Sequence, residues 1–74
     1  MATLPHSQDG ESLRIVLERE TDGRWLAEIP ELPGVMAYGK TKNEAEVAVT
    51  ALALRVIADR SEQTKKPTRS IRFL

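Results

Sequence analysis

Hydrophobic and polar residues alternate along two segments in the first half of the chain, residues 12–20 and 24–29. A period of two predicts β-strands with one buried face. The positions expected on that face are apolar: Leu13, Ile15 and Leu17 in the first segment, and Trp25, Ala27 and Ile29 in the second. Between the segments, Thr21-Asp22-Gly23 contains the Asp-Gly pair typical of tight hairpins, so we expect the two strands to pair antiparallel.

Two prolines interrupt this pattern after the second segment. Because proline has no backbone N–H to donate to a sheet, Pro30 and Pro33 predict a corner. Pro33 and Gly34 fit the two central positions of a type II turn, and Leu32 between the prolines is expected to plug the end of the core. A third short strand is predicted over residues 35–39, where it ends with Gly39.

A helix rich in alanine and leucine is predicted from residue 42 to residue 59 or 60. Thr41 and Glu44 have the spacing of a capping box, in which the threonine hydroxyl accepts from the N3 amide and the glutamate carboxylate accepts from the cap amide. Such a cap contributes about 1 kcal/mol. Residues 61–70 are polar and are interpreted as a linker to a last short strand at 71–74. The predicted order is therefore β-β-β-α-β.

The predicted helix carries two apolar stripes when its residues are placed at about 100° intervals. One stripe consists of Ala45, Val49, Leu52 and Val56. The other lies on the opposite side and consists of Val47, Ala51, Leu54 and Ala58, with Ile57 grouped beside them. One small sheet covers a single stripe, so we expect the second set to form a partner or oligomer interface, with burial by the chain's own termini as the alternative. The pattern leaves open which stripe faces the sheet.

Length and composition also favour association with another chain. The 74 residues allow one small α+β domain, residues 12–74, after a leader over residues 1–11 that is expected to be mobile. A chain of this length buries only about 60% of its unfolded surface. Cysteine is absent, which excludes a disulfide or a zinc–thiolate site as reinforcement. No apolar run approaches about 18 residues and no signal peptide is evident, so we expect a cytoplasmic protein.

Side chains that usually carry chemistry are sparse. The single histidine, His6, lies in the leader, where a general base would not be held near its proton. Glu18 and Glu28 are expected to face away from the core, and nearby Arg14 and Arg24 favour cross-strand ion pairs over a metal-binding or catalytic role. We therefore expect no enzyme activity, no catalytic residues, no cofactor and no metal site.

Charge is unevenly distributed, although the chain has 11 basic and 11 acidic residues. Residues 1–60 hold 10 acidic and 7 basic side chains, a net charge of −3, whereas residues 61–74 have a net charge of +3. The acidic body disfavours nucleic acid and suits a basic protein partner. Ordinary surface charge and a nucleic-acid-binding tail are the alternatives. Trp25 and Tyr38 would be a weak stacking platform for RNA, and Trp25 is expected in the core.

The order of motifs resembles that of the HicB-like antitoxin family. The similarity lies in two stretches, DGRWLAEIPELPGV at residues 22–35 and AYGKTKNEA at residues 37–45. In the family, a hairpin with Asp-Gly precedes an aromatic residue, an A-x-x-P-x-L-P-G corner, a G-x-T segment and an E-A helix start. The resemblance implies a partial RNase H-like fold, with structural roles for Pro30, Leu32, Pro33, Gly34, Gly39, Thr41 and Glu44.

The same resemblance implies a role as an antitoxin. Such proteins bind a small basic toxin of the HicA type, an mRNA-cleaving ribonuclease, and block its active site; they also form homo-oligomers, here a homodimer or tetramer. Many family members carry a C-terminal DNA-binding segment, and since the sequence ends at Leu74 we expect no direct DNA binding. The alternative is an orphan homo-oligomeric domain without a toxin.

Overall fold

The computed structural model describes residues 10–74, so the expectations for residues 1–9, including His6, lie outside it. The elements are β1 (Gly10–Leu13), β2 (Val16–Arg19), β3 (Trp25–Glu28), β4 (Met36–Gly39), α1 (Lys42–Thr64) and β5 (Ser70–Phe73). Strands β2, β3 and β4 form an antiparallel sheet in that order, and β1 pairs with β5 in parallel. The α+β class is therefore confirmed, with one helix packed against the antiparallel sheet.

The predicted first strand is wrong in one respect, because it is divided into β1 and β2. The division falls at Arg14, whose backbone N–H donates to the Glu31 carboxylate at 3.0 Å and not to a neighbouring strand. The start of β1 at Gly10 lies within the segment predicted as leader, and β5 supplies its partner. The predicted last strand is present as β5, with Phe73 beside Leu13.

The hairpin between β2 and β3 is confirmed. The Gly23 N–H donates to the Glu20 carbonyl at 3.0 Å, and the Glu20 N–H donates to the Arg24 carbonyl at 2.8 Å. Gly23 has a φ of 93°, a left-handed conformation that glycine adopts without strain. The loop is therefore a three-residue hairpin connection closed by glycine, one of the common lengths.

Two successive turns form the proline corner between β3 and β4. The Leu32 N–H donates to the Ile29 carbonyl and the Val35 N–H donates to the Leu32 carbonyl, both at 3.0 Å. Gly34 has a φ of 85°, as the third position of a type II turn requires. Leu32 is buried in the core, so the predicted turn and its plug are both confirmed.

Helix α1 begins at the predicted cap. The Glu44 N–H donates to the Thr41 hydroxyl at 3.1 Å, but the Glu44 carboxylate accepts from the Lys40 N–H at 2.9 Å, one residue before the expected donor. The helix extends one turn beyond the predicted end and stops at Thr64. There Lys65 takes the left-handed conformation and its N–H donates to the Ser61 carbonyl, which satisfies a terminal acceptor.

The core lies between α1 and the inner face of the antiparallel sheet. Its buried members are Leu13, Ala27, Ile29, Leu32, Val35, Ala45, Val49, Ala53 and Ile57. The first apolar stripe therefore faces the sheet, with Leu52 and Val56 packed against its margin. Grouping Ile57 with the second stripe was wrong. The buried helix positions are four residues apart, and each such step advances about 40°, which carries Ile57 round to the core.

Gly39 sets how closely α1 approaches β4. A Cβ atom at this position would lie 2.4 Å from the Ala45 backbone nitrogen and 2.8 Å from the Glu44 carbonyl carbon. Both contacts are with the helix backbone, so a side chain would force the helix start and the strand apart.

We expect Gly39→Ala to lower the free energy of unfolding by about 2–3 kcal/mol, because overpacking against backbone cannot be relieved by rotating a side chain. Urea unfolding followed by circular dichroism measures the change. Gly23→Asn is the control, because Asn tolerates the left-handed region and a Cβ there meets nothing within 4 Å. Its expected cost is about 1 kcal/mol or less. Equal stability of Gly39→Ala and the wild type would contradict the close-approach account.

Candidate protein-binding surfaces

The second stripe of α1 lies on the side of the helix away from the core. Val47 is 61% exposed and Leu54 is 43% exposed. Ala51 is half-buried and Ala58 is exposed. The structure thus brings the four predicted interface residues onto one open helix face. Strand β5 pairs with β1 and leaves this face open, while any cover from residues 1–9 lies outside the described chain.

A shallow depression runs along the same helix face. Its lining residues all belong to α1: Asn43, Glu46, Val47, Thr50, Ala51 and Leu54. The apolar floor is bordered by polar side chains, and Glu46 has no ion pair within residues 10–74. An apolar stripe with a polar rim is the usual composition of a protein interface.

A second apolar surface, which the sequence analysis missed, occupies the outer face of the antiparallel sheet. Register places Val16, Glu28 and Met36 in one row across the three strands, and Glu18, Leu26 and Tyr38 in the next. The exposed fractions of the apolar members reach 44% for Val16, 42% for Met36 and 47% for Tyr38. The sequence pattern does indicate this surface, because the outward positions of the alternating strands include Val16 and Leu26 as well as charged residues.

Glu18 and Glu28 do stand on this outer face, but the expected cross-strand pairs with arginine are wrong. Arg14 Nε donates to Glu31 in the proline corner at 2.6 Å. Arg24 Nε donates to Asp22 in the hairpin at 2.7 Å, and its guanidinium lies over Tyr38, 4.2 Å from the ring centroid. Each arginine instead forms an ion pair with a carboxylate in a neighbouring turn. Neither Glu18 nor Glu28 has an ion pair within residues 10–74.

The two aromatic side chains of β3 and β4 lie on opposite faces of the sheet. Trp25 packs against the margin of the core and is half-buried, with the Lys42 ammonium 5.2 Å and the Arg19 guanidinium 5.7 Å from its ring centroid. Tyr38 is on the outer face beneath Arg24. The rings cannot form one stacking platform, and each already contacts a cation.

A smaller depression of about 250 Å³ lies where the end of α1 meets β1 and the chain leading to β5. Arg60 and Glu11 form an ion pair across it at 3.2 Å, with Lys66 and Pro67 on its rim. This contact ties the helix end to β1. In the described part of the chain, no three potential metal ligands come together.

Comparison with known proteins adds no assignment to these surfaces. No protein-family model matches the chain, and neither the curated proteins nor the solved structures yield a match. Within residues 10–74, α1 lacks the apolar length that would let it cross a membrane. The surfaces are therefore interpreted from their own geometry and charge.

The pKa of the Glu31 carboxyl group reports whether Arg14 contacts the proline corner. The Arg14 backbone N–H is the main cause that lowers the pKa of Glu31 from 4.5 to about 2, and the Arg14 guanidinium adds to it. A carboxyl group with a depressed pKa in the folded state stabilises the fold above its unfolded pKa. That contribution is lost as the pH falls from about 4.5 toward 2.

We expect the Glu31 carboxyl signal in an NMR titration to move with a midpoint near pH 2. Arg14→Ala removes the guanidinium but keeps the backbone N–H, so the midpoint should rise only part of the way toward 4.5. Arg24→Ala, which removes a cation from a different carboxylate, is the control and should leave Glu31 unchanged. A wild-type Glu31 midpoint near 4.5 would show that the contact does not form in solution.

Proposed function

We propose that this protein is an antitoxin-like binding module of the HicB type, with a partial RNase H-like fold. Its function would be to bind and neutralise a small basic toxin of the HicA type that cleaves mRNA. The observation that carries the proposal is the apolar stripe of Val47, Ala51 and Leu54, exposed on α1 opposite the core.

The size of the core supports a function that depends on a partner. Within residues 10–74, three of the nine buried residues are alanines, Ala27, Ala45 and Ala53, so a third of the buried positions carry small side chains. A domain with so little buried apolar surface has marginal stability. Binding of a partner to the folded state alone would stabilise it. The exposed stripe offers apolar surface for that purpose.

Charge supports a basic partner. Two carboxylates on the outer sheet face, Glu18 and Glu28, and one beside the helix stripe, Glu46, lack ion pairs in the described structure. Unpaired carboxylates raise the negative potential around an apolar surface, which speeds encounter with a positively charged protein. A ribonuclease must carry basic residues to hold its RNA, and so fits this requirement.

The roles of the motif residues are compatible with the proposal. Leu32 and Gly34 shape the corner, Thr41 caps α1, and Gly39 allows the helix to approach β4. In this interpretation the shared motif maintains the scaffold, while the contacts that select a partner lie on surfaces outside the motif.

Co-expression with the product of an adjacent reading frame of about 60–80 residues tests the proposal. We expect the wild-type chain to co-purify with that product and to suppress its cleavage of mRNA. Leu54→Asp should weaken binding at least tenfold, because a charge would be buried in the apolar contact. Ile71→Asp is a matched control, since it makes the same kind of change at an apolar position of similar exposure on β5, outside both candidate surfaces.

Two outcomes would contradict the proposal. One is an adjacent product that cleaves mRNA equally well with and without the wild-type chain. The other is the absence of any such adjacent product combined with a stable homo-oligomer, which would favour the orphan domain instead.

A further inference from the structure

The edge of strand β4 is open for pairing. The Ile29 N–H donates to the Val35 carbonyl at 3.1 Å, and this bond sets the alternation along the β3–β4 ladder. By that alternation Ala37 and Gly39 exchange hydrogen bonds with β3, whereas the backbone groups of Met36 and Tyr38 point outward. No strand within residues 10–74 pairs with this outer edge.

The edge is complementary to itself. When two antiparallel copies of β4 are placed about a two-fold axis through Ala37, Met36 of each copy lies opposite Tyr38 of the other. These are the residues whose N–H and C=O groups face outward, so each Met36–Tyr38 couple can exchange two hydrogen bonds. Ala37 then lies opposite Ala37 of the second copy as a non-hydrogen-bonded pair. We infer that a second copy of this chain binds here and joins the two sheets into one of six strands.

Side chains at the junction fit this pairing. On the outer face, Met36 would contact the Tyr38 ring of the second copy, a sulfur–aromatic arrangement that is favourable. Both side chains are now more than 40% exposed, so the contact would remove apolar surface from water. On the inner face Ala37 meets its counterpart, so the side chain at the centre of the junction is small.

No like charges face each other across the junction, because Met36, Ala37 and Tyr38 are uncharged. The Arg24 guanidinium lies over Tyr38 and is paired with Asp22, while the carboxylate of Glu28 lies one strand behind Met36. In the paired sheet, the Met36–Tyr38 contact separates Glu28 of one copy from Arg24 of the other.

Apart from its shortness, the edge lacks the features that keep edge strands apart. Soluble proteins protect such edges by keeping them short, or with lysine, proline or a bulge. Strand β4 has four residues, but Met36-Ala37-Tyr38-Gly39 contains no lysine or proline, and its register with β3 is continuous. The edge is therefore apolar and free of charge. This inference does not depend on the toxin proposal.

The mass of the full chain in solution tests the inference. Sedimentation equilibrium should give twice 8.3 kDa for the wild type and 8.3 kDa for the double variant Met36→Lys, Tyr38→Lys. Val16→Lys, on the same sheet face but on the far strand, is the matched control and should remain dimeric. Leu54→Asp should also remain dimeric, because the helix stripe is not part of this contact. Circular dichroism checks that each variant is folded.

A cysteine cross-link tests the register directly. The chain has no cysteine, so Ala37→Cys introduces one per copy. Non-hydrogen-bonded antiparallel pairs place Cα atoms about 4.5 Å apart, within the range that a disulfide spans. We expect Ala37→Cys to form a covalent dimer on oxidation, and Val16→Cys to form at least tenfold less. A monomeric wild type, dissociation by Leu54→Asp but not by the lysine pair, or equal cross-linking at both cysteines would each overturn the inference.

Discussion

The packing of α1 against the antiparallel sheet forms the centre of the core, and it depends on the backbone of Gly39 lying against the start of the helix. Closer approach lets small side chains such as Ala45 and Ala53 fill the interior. A single helix, however, covers one face of one sheet and buries one of its own faces. The opposite face of the helix and the outer face of the sheet are left uncovered by residues 10–74, and both are partly apolar.

Ion pairs within turns determine which charged side chains of residues 10–74 are left without an opposite charge. Glu31 and Asp22 each accept from a nearby arginine within a turn, and these contacts hold the corner and the hairpin. Exposed ion pairs contribute little to stability, but they remove the two arginines that could have neutralised Glu18 and Glu28. The outer sheet face therefore combines unpaired carboxylates with exposed apolar side chains.

The local structure was largely predictable from residue patterns. Pro33 and Gly34 specify a turn by their allowed dihedral angles, and Thr41 specifies a helix start by its hydroxyl, so both follow from chemistry within a few residues. The division of the first strand did not follow, because it depends on Glu31 reaching Arg14 across 17 positions. The placement of Ile57 failed for a different reason, since the buried face drifts around a 23-residue helix by an amount that only packing reveals.

Surfaces were harder to predict than elements. The exposed apolar stripe on α1 is predictable because helical periodicity places its residues on one face, but the outer sheet face requires the register that joins Val16 to Met36 through β3. Predicting the open edge of β4 also requires knowing which of its residues form hydrogen bonds with β3 and which point outward. These features are properties of pairing between distant segments, and a pattern along one segment does not contain them.

The account rests on the claim that this small core is completed by association. The most direct test is the urea midpoint of the wild-type chain at protein concentrations spanning a hundredfold range. Because association binds the folded state and not the unfolded chain, we expect the midpoint to rise steadily with concentration. A midpoint that stays the same throughout the range would contradict the account, since it would show that the domain is stable by itself.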